Sequence, residues 1–194
     1  MRDRRPRRET VFGPQFEQVL AAAQSGAPWA LERLWQALAP AVAGYLRVQG
    51  SAEPDDLASD TFLAAFRHLP TFRGDEATFR SWVFTIAHHR LVDERRRLAR
   101  RPPASDLDGA RVDTTAGGDV EQEALRRLSV ERVRRLCEQL VPDQRDVLLL
   151  RMVGGMTLEE TAGALGKTTG AVKALQHRAV DALRRHLQRE GVSL

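Results

Sequence analysis

Apolar residues recur three and four positions apart in block after block of this chain, and glycine or proline closes each block. Side chains at that spacing share one helical face, so the pattern commits the chain to amphipathic helices. No convincing period-two alternation marks a strand. The pattern predicts a first helix over about Pro14–Gln24, stopped by Ser25-Gly26, and a second begun by Pro28 in its first turn. Leu31, Leu34, Trp35 and Leu38 keep helical spacing there; Pro40 then opens a further helix with Val42, Tyr45 and Leu46 on one side, ended by Gly50-Ser51. A helix over Pro54–Arg67 follows, with acidic residues in the first turn, where the helix dipole favours them. Leu69-Pro70 stops it, Thr71–Glu76 reads as a loop, and a long helix over about Ala77–Arg100 ends at Pro102-Pro103. Residues Pro103–Val120 are Pro, Gly, Asp and Thr with little apolar content, which reads as a flexible linker. Helical patterning resumes over Glu121–Leu140, Asp143–Val153, Leu158–Leu165 and Thr169–Arg189. The expected fold is all-α: a basic arm at 1–13, a helical domain at 14–100, a linker at 101–120 and a second helical domain at 121–194.

Composition narrows the function classes. With 42% hydrophobic and 29% charged residues, the 194-residue chain is globular material. No run approaches the roughly 18 apolar residues of a membrane span, and the Arg-rich Met1–Glu9 has no apolar core behind it, so neither a span nor a secretory signal is expected. The lone Cys137 cannot form an internal disulfide, which fits a reducing compartment and a cytoplasmic location. Cys and His lack zinc-site spacing and there is no glycine-rich phosphate loop, so no metal, cofactor or catalytic set is expected. His88 and His89 are poor co-ligands, since adjacent helical residues point about 100° apart. Net charge is +4, but basic residues cluster: Arg2, Arg4, Arg5, Arg7 and Arg8; then Arg90, Arg95, Arg96, Arg97, Arg100 and Arg101; then Lys167, Lys173, Arg178, Arg184, Arg185 and Arg189. Separated patches suit either a polyanion touched at several places or a set of solvated helix faces, and charge alone does not choose.

The segment Leu158–Leu183 favours the polyanion. Thr157 with Glu160 has the capping-box spacing. Leu158, Thr161, Ala162 and Leu165 face inward, Gly166 ends the helix, and Thr168 or Thr169 caps the next. There Val172, Leu175, Ala179 and Leu183 form the packing stripe, while Lys173, Ala174, His177 and Arg178 face out. A short helix, a glycine turn and a second helix with a basic outer face make a DNA-binding helix-turn-helix. A repressor, a response-regulator output domain or a sigma factor all satisfy that motif.

The run Leu140-Val141-Pro142-Asp143-Gln144-Arg145, then Val147-Leu148-Leu149-Leu150-Arg151, with Leu158-Glu159-Glu160-Thr161-Ala162, Leu165-Gly166 and Val172-Lys173, resembles a sigma-four domain, which reads the upstream (minus-thirty-five) promoter element. In the first half, Asp55-Asp56-Leu57, Asp60-Thr61-Phe62 and Ala65-Phe66 resemble the polymerase-binding helix of a sigma-two domain. Phe72-Arg73-Gly74-Asp75 resembles its base-capturing loop, and Phe79, Ser81-Trp82, Ile86-Ala87, Asp93 and Arg96-Arg97 the helix that follows. Both modules in this order resemble the extracytoplasmic-function (ECF) group of RNA polymerase sigma factors, over about Phe16–Leu187 apart from the linker.

The resemblance implies a sigma-two-like bundle and a sigma-four-like helix-turn-helix. It assigns core-polymerase binding to Asp56, Leu57, Asp60 and Leu63, which also read physically as an exposed acidic and apolar face opposite Ala58, Phe62, Ala65, Phe66 and Leu69. The implied partner is the coiled coil of the largest polymerase subunit, with the flap, promoter DNA and an anti-sigma factor completing the set. Downstream-element (minus-ten) contacts fall on Phe72, Arg73, Gly74, His89 and Arg96; upstream-element contacts fall on Arg151, Thr168, Thr169, Lys173, Ala174, His177 and Arg178. In the long helix, Phe79, Trp82, Val83, Ile86 and Ala87 read as core, with Ser81, Thr85, His88, His89, Val92 and Arg96 on the other side as a strip for DNA strands. Two positions depart from the family: His89 stands where Asn is common, and Ala174 where a polar or charged residue is frequent. Asp106, Asp108, Asp113 and Asp119 of the linker suit mimicry of nucleic acid in the polymerase channel. The alternatives are a stand-alone helix-turn-helix regulator, which needs a dimer stripe that is not evident, and a helical adaptor or nuclease, which needs a carboxylate cluster for metal.

Overall fold

The computed structural model describes residues 11–100 and 131–190, and among these every regular element is helical. The basic arm through residue 10, the linker with its four aspartates and the first ten residues of the helix expected over 121–140 lie outside the described residues. A 3-10 turn at Gly13–Gln15 leads into α1 (Phe16–Gln24), and a second, Leu69–Thr71, follows the third helix. Then come α2 (Pro28–Val48), α3 (Pro54–His68), α4 (Glu76–Arg100), α5 (131–138), α6 (Pro142–Met152), α7 (Leu158–Leu165) and α8 (Thr169–Arg189). No helix is long and apolar enough to cross a membrane among the described residues.

The first correction falls on Pro40, which opens no new helix; α2 runs through it. An internal proline loses one backbone bond and crowds the preceding turn, costing about 3 kcal/mol. Ala30, Leu34, Leu38, Ala39, Val42, Ala43, Tyr45 and Leu46 are buried along one unbroken stripe of the helix. Burying each large apolar side chain is worth roughly 1.5–3 kcal/mol, so the stripe outweighs the break. Pro40 itself is exposed, so its ring displaces no core side chain.

Helices α1 to α4 pack in chain order, α1 on α2, α2 on α3 and α3 on α4, with α2 also touching α4. Their core is threaded by rings: Phe12 meets Phe16, Phe16 meets Phe79, and Phe79 meets both Phe72 and Trp82. Glu76, in the first turn of α4, accepts backbone N–H bonds from Val11 (2.6 Å) and Gly13 (3.0 Å) and lies 3.3 Å from the Phe12 nitrogen. One carboxylate thereby ties the entering chain to α4 and seats Phe12 in the core. The helices α6, α7 and α8 pack on one another around Val147, Ala162 and Val172. Cys137, Leu149, Leu150, Met156 and Ala164 join the same buried cluster as α1 to α4, and α7 rests on α4, so the two halves share an interface.

Candidate nucleic-acid interface

The helix-turn-helix is built from its caps. Thr157 accepts from the Glu160 N–H (3.1 Å), while the Thr157 N–H donates to the Glu160 carboxylate (2.7 Å), so two end donors are satisfied reciprocally. At the other end Gly166 takes φ +62°, and the Lys167 N–H returns to the Ala162 carbonyl at 2.9 Å. That left-handed residue reverses the chain, and Thr168 caps α8 by accepting from the Ala171 N–H at 3.2 Å. Val172 and Ala179 are buried and Leu175 and Leu183 half-buried, as the stripe requires. Thr168, Thr169, Lys173, Ala174, His177 and Arg178 are placed on the outer side of the turn and of α8. His177 Nδ1 lies 2.9 Å from Asp181, and Arg178 Nε donates to the Ala174 carbonyl at 3.3 Å.

Arg151 is placed otherwise than a duplex contact needs. It is buried; Nη1 donates to the Met156 carbonyl and Nε to Gln176 at 3.2 Å. Its guanidinium braces α6, the turn before α7 and α8 against each other. A buried arginine in that position holds the recognition helix in place without reaching a groove.

On α3, Asp56, Asp60 and Leu63 share an exposed face, Leu63 at 56% exposure. Asp55 beside them is engaged by Arg47, whereas Asp56 and Asp60 have no ion pair among the described residues. Leu57 corrects the expected face: it is 5% exposed and belongs to the core. Both α2 and α4 flank α3, so its buried arc is wider than one stripe and takes in Leu57 and Thr61 as well.

The loop before α4 is rigidly framed. Phe72 is 8% exposed, stacks on Trp82 at 5.0 Å between centroids and meets Phe79 edge-on at 5.5 Å. Its ring is therefore core, a correction to the expectation that it receives a base. Gln24 Nε2 donates to the Leu69 and Phe72 carbonyls (3.1 and 2.9 Å), and Arg73 donates to the Pro70 and Phe72 carbonyls (3.1 and 2.7 Å). Gly74 has φ +152°, and a Cβ there would sit 2.8 Å from Thr78 Cγ2, so only glycine fits without a shift. Asp75 caps α4 by accepting from the Thr78 N–H at 2.8 Å. The exposed rim of this loop is Thr71, Arg73, Gly74 and Asp75.

The strip expected along α4 is only partly open. Arg96 is exposed beside Asp93, but Ser81 and His88 are buried and Thr85 and Val92 half-buried. His88 Nδ1 sits 3.0 Å from the Tyr45 hydroxyl. Burial holds the Tyr45 phenol well above its ordinary range and pushes the His88 imidazole below its own, so a neutral phenol and a neutral imidazole share this hydrogen bond, its direction set by the imidazole tautomer. His89 Nε2 lies 3.2 Å from the Ala164 carbonyl of α7. Among these residues Gln49, Arg95 and Asp146 form a polar group that the motifs do not flag. The sequence does carry a signal for it: Asp146 precedes the inward-facing Leu150 and Val153 by four and seven positions, so it lies on an apolar stripe and needs a buried partner.

The family pattern for Sigma-70 region 2 matches residues 34–101, and that for Sigma-70 region 4 matches residues 138–185. The ECF RNA polymerase sigma factor SigD of Mycobacterium tuberculosis is 35% identical, over 90% of this chain and 85% of its own. The ECF RNA polymerase sigma factor BldN of Streptomyces coelicolor is 33% identical, over 95% of this chain and 70% of its own. Among solved structures, CnrH in complex with the cytosolic domain of CnrY is similar at a TM-score of 0.62 and 28% identity, covering 90% of this chain and 97% of that one. The sigma factor RpoE from Bartonella quintana, in complex with the anti-sigma factor NepR, shares the fold at a TM-score of 0.58 and 19% identity, covering 81% of this chain and 96% of that one. With both sigma domains present in order and these relatives matching along nearly the whole chain, the protein belongs to the ECF RNA polymerase sigma factors and is an alternative sigma factor that directs transcription.

Proposed function

We propose that this chain divides its work between its two halves as the caps and exposed faces suggest. The first domain, 14–100, docks on the coiled coil of the largest core-polymerase subunit through the α3 face of Asp56, Asp60 and Leu63. A basic helical partner pairs with the two carboxylates at the rim while Leu63 is covered. The second domain, 121–194, sits near the polymerase flap and lays α8 in the major groove of the upstream element. There Lys173 and Arg178 reach guanine edges or phosphates, and Thr168, Thr169, Ala174 and His177 complete the face. The linker, 101–120, spans the two.

Downstream, Arg73 and Gly74 at the loop rim, with His89 and Arg96 on α4, meet the melted strand. Extracting a base costs a few kcal/mol of unstacking, which contacts to the flipped base offset. Neutral His89 supplies one donor and one acceptor with ring geometry in place of the amide pair usual there, so base preference at that position differs from the family's. The protein carries no chemistry of its own, works in the cytoplasm with the polymerase, and is held in check by an anti-sigma factor.

One observation carries this reading: Asp56, Asp60 and Leu63 stand together, exposed, on the chain that also carries a capped helix-turn-helix with an open basic face. The test is retention of core polymerase by immobilised protein. Wild type retains it; Asp56→Arg with Asp60→Arg loses it while keeping its helicity. Equal retention by the folded double variant would refute the docking face.

A further inference from the structure

The cluster Arg2, Arg4, Arg5, Arg7 and Arg8 has no task in the function proposed above, and the structure shows where the segment that carries it joins the fold. The Glu76 carboxylate accepts from the Val11 N–H at 2.6 Å and from the Gly13 N–H at 3.0 Å, and the Phe12 ring between them is buried against Phe16. Residues 11–13 are thereby fixed to the first turn of α4, at a carboxylate two positions after Gly74 of the loop rim. Arg33 of α2 reaches the same corner, exposed, with its guanidinium carbon 5.9 Å from the centre of the Phe12 ring. The two carboxylates of this corner are engaged by the fold itself, Glu76 by the backbone N–H groups of the entering chain and Asp75 by the Thr78 N–H at 2.8 Å and the Thr78 hydroxyl. That leaves the charge of the arm for an outside partner.

We propose that Met1–Thr10 is a phosphate clamp: rooted by Glu76 beside the loop rim, its arginines grip the sugar-phosphate backbone of the promoter strand next to the melted element. The inference rests on the proposed role of that loop. Five arginines stand against two acids, Asp3 and Glu9, in these ten residues. Arginine suits phosphate because its planar guanidinium presents paired N–H donors to two oxygens. Contacts of this kind position a strand without reading its sequence. Ten residues span at most about 35 Å, so an arm rooted beside Gly74 covers the nucleotides flanking a base held at the rim. Its contacts add to those that offset the cost of unstacking. The arm supplies electrostatic affinity, and the loop supplies the seat for the base.

The test compares the full chain with a variant carrying Arg2→Gln, Arg4→Gln, Arg5→Gln, Arg7→Gln and Arg8→Gln, its helicity checked by circular dichroism. Binding to a short fluorescein-labelled single strand of mixed sequence is followed by anisotropy from about 50 to about 200 mM salt. Each engaged arginine steepens the dependence of log K on log salt by about 0.7. With about three to five engaged, wild type loses about twenty- to a hundredfold more affinity than the variant over that range. Equal losses in the folded variant would overturn the clamp. Position is read in the complex with core polymerase, on a promoter mapped by run-off transcription. Cys137 is the one cysteine of the chain and is buried, so Pro6→Cys takes an iron chelate selectively and hydroxyl radicals cut the DNA around it. Cuts on the strands of the melted element are the expected result. Cuts confined to the upstream element, or DNA left uncut, would overturn the proposal. An arm lying on the Asp56 and Asp60 face of α3 gives that second outcome, with more polymerase retained by the glutamine variant. Run-off transcription by the wild type separates the two readings: transcription with uncut DNA keeps the proposed function and removes the clamp, whereas no transcription removes the function on which the clamp rests.

Discussion

Phe72→Ala separates two roles that the same loop sequence allows. If the ring received a base, its loss would abolish promoter opening and leave the fold intact. In the structure the ring is buried against Trp82 and Phe79. Removing a buried phenylalanine costs about 3–5 kcal/mol, part of it the cavity left behind, and each of the two ring pairings contributes about 0.5–1.5 kcal/mol within that sum. The loop lies at the surface and can collapse somewhat, so the lower end, about 3 kcal/mol, applies. For a chain of this size melting as one unit, that lowers Tm by about 6–12 °C. Arg73→Ala is the matched comparison, because its guanidinium is exposed and bonds only loop carbonyls. Surface changes of that kind stay near 0.5 kcal/mol, or about 2 °C. Thermal melts by circular dichroism, with transcription measured well below both midpoints, give the comparison. The expected pattern is a large Tm loss for Phe72→Ala, and lost transcription with a near-native Tm for Arg73→Ala. A Phe72→Ala protein that melts within about 2 °C of wild type yet fails to open promoters would refute the assignment of the ring to the core.

Two further outcomes follow from named interactions. Thr157→Ala removes half of the capping box at α7 and should lower stability by about 1 kcal/mol, read as a shift in urea midpoint at unchanged m-value; no shift would show that the cap is not formed in solution. His88 is pushed below its ordinary value chiefly by burial, with His89 and Arg95 adding to the shift and Asp146 opposing it. The unfolded chain therefore binds a proton near pH 6.5 that the folded chain refuses, so His88 makes stability fall as pH drops below about 6.5, by at most about 1.4 kcal/mol per pH unit. Urea midpoints at about pH 7.5 and about pH 5.5 for wild type and His88→Gln should show a smaller loss on acidification in the variant; equal losses would mean that His88 is not the group responsible.

The local signals carry furthest where chain punctuation is chemical. Thr157, Glu160, Gly166 and Thr168 each satisfy or end a helix by their own side-chain or backbone chemistry, and α7 and α8 begin and end where they do. Pro40 shows the opposite case. Its local preference is to start a helix, but burial on both sides of it outweighs that preference, and only the packed stripe reveals this. A helical wheel with a single buried stripe misplaces Leu57 and Ser81, because α3 and α4 are each flanked on two sides. The group of Gln49, Arg95 and Asp146 has no local signature beyond an acid on an apolar stripe, because its partners come from three helices far apart in the chain. Arg151 likewise looks like any outward arginine until Met156 and Gln176 are seen around it.

Run-off transcription with core RNA polymerase on fragments of the chain's own genome, with and without the protein, decides whether the chain works through the polymerase. Specific transcripts should appear only when it is present, and should vanish with Asp56→Arg plus Asp60→Arg in a protein that keeps its helicity. No added transcript, together with tight binding to a duplex site in the absence of polymerase, would contradict the account and make the chain a stand-alone helix-turn-helix regulator.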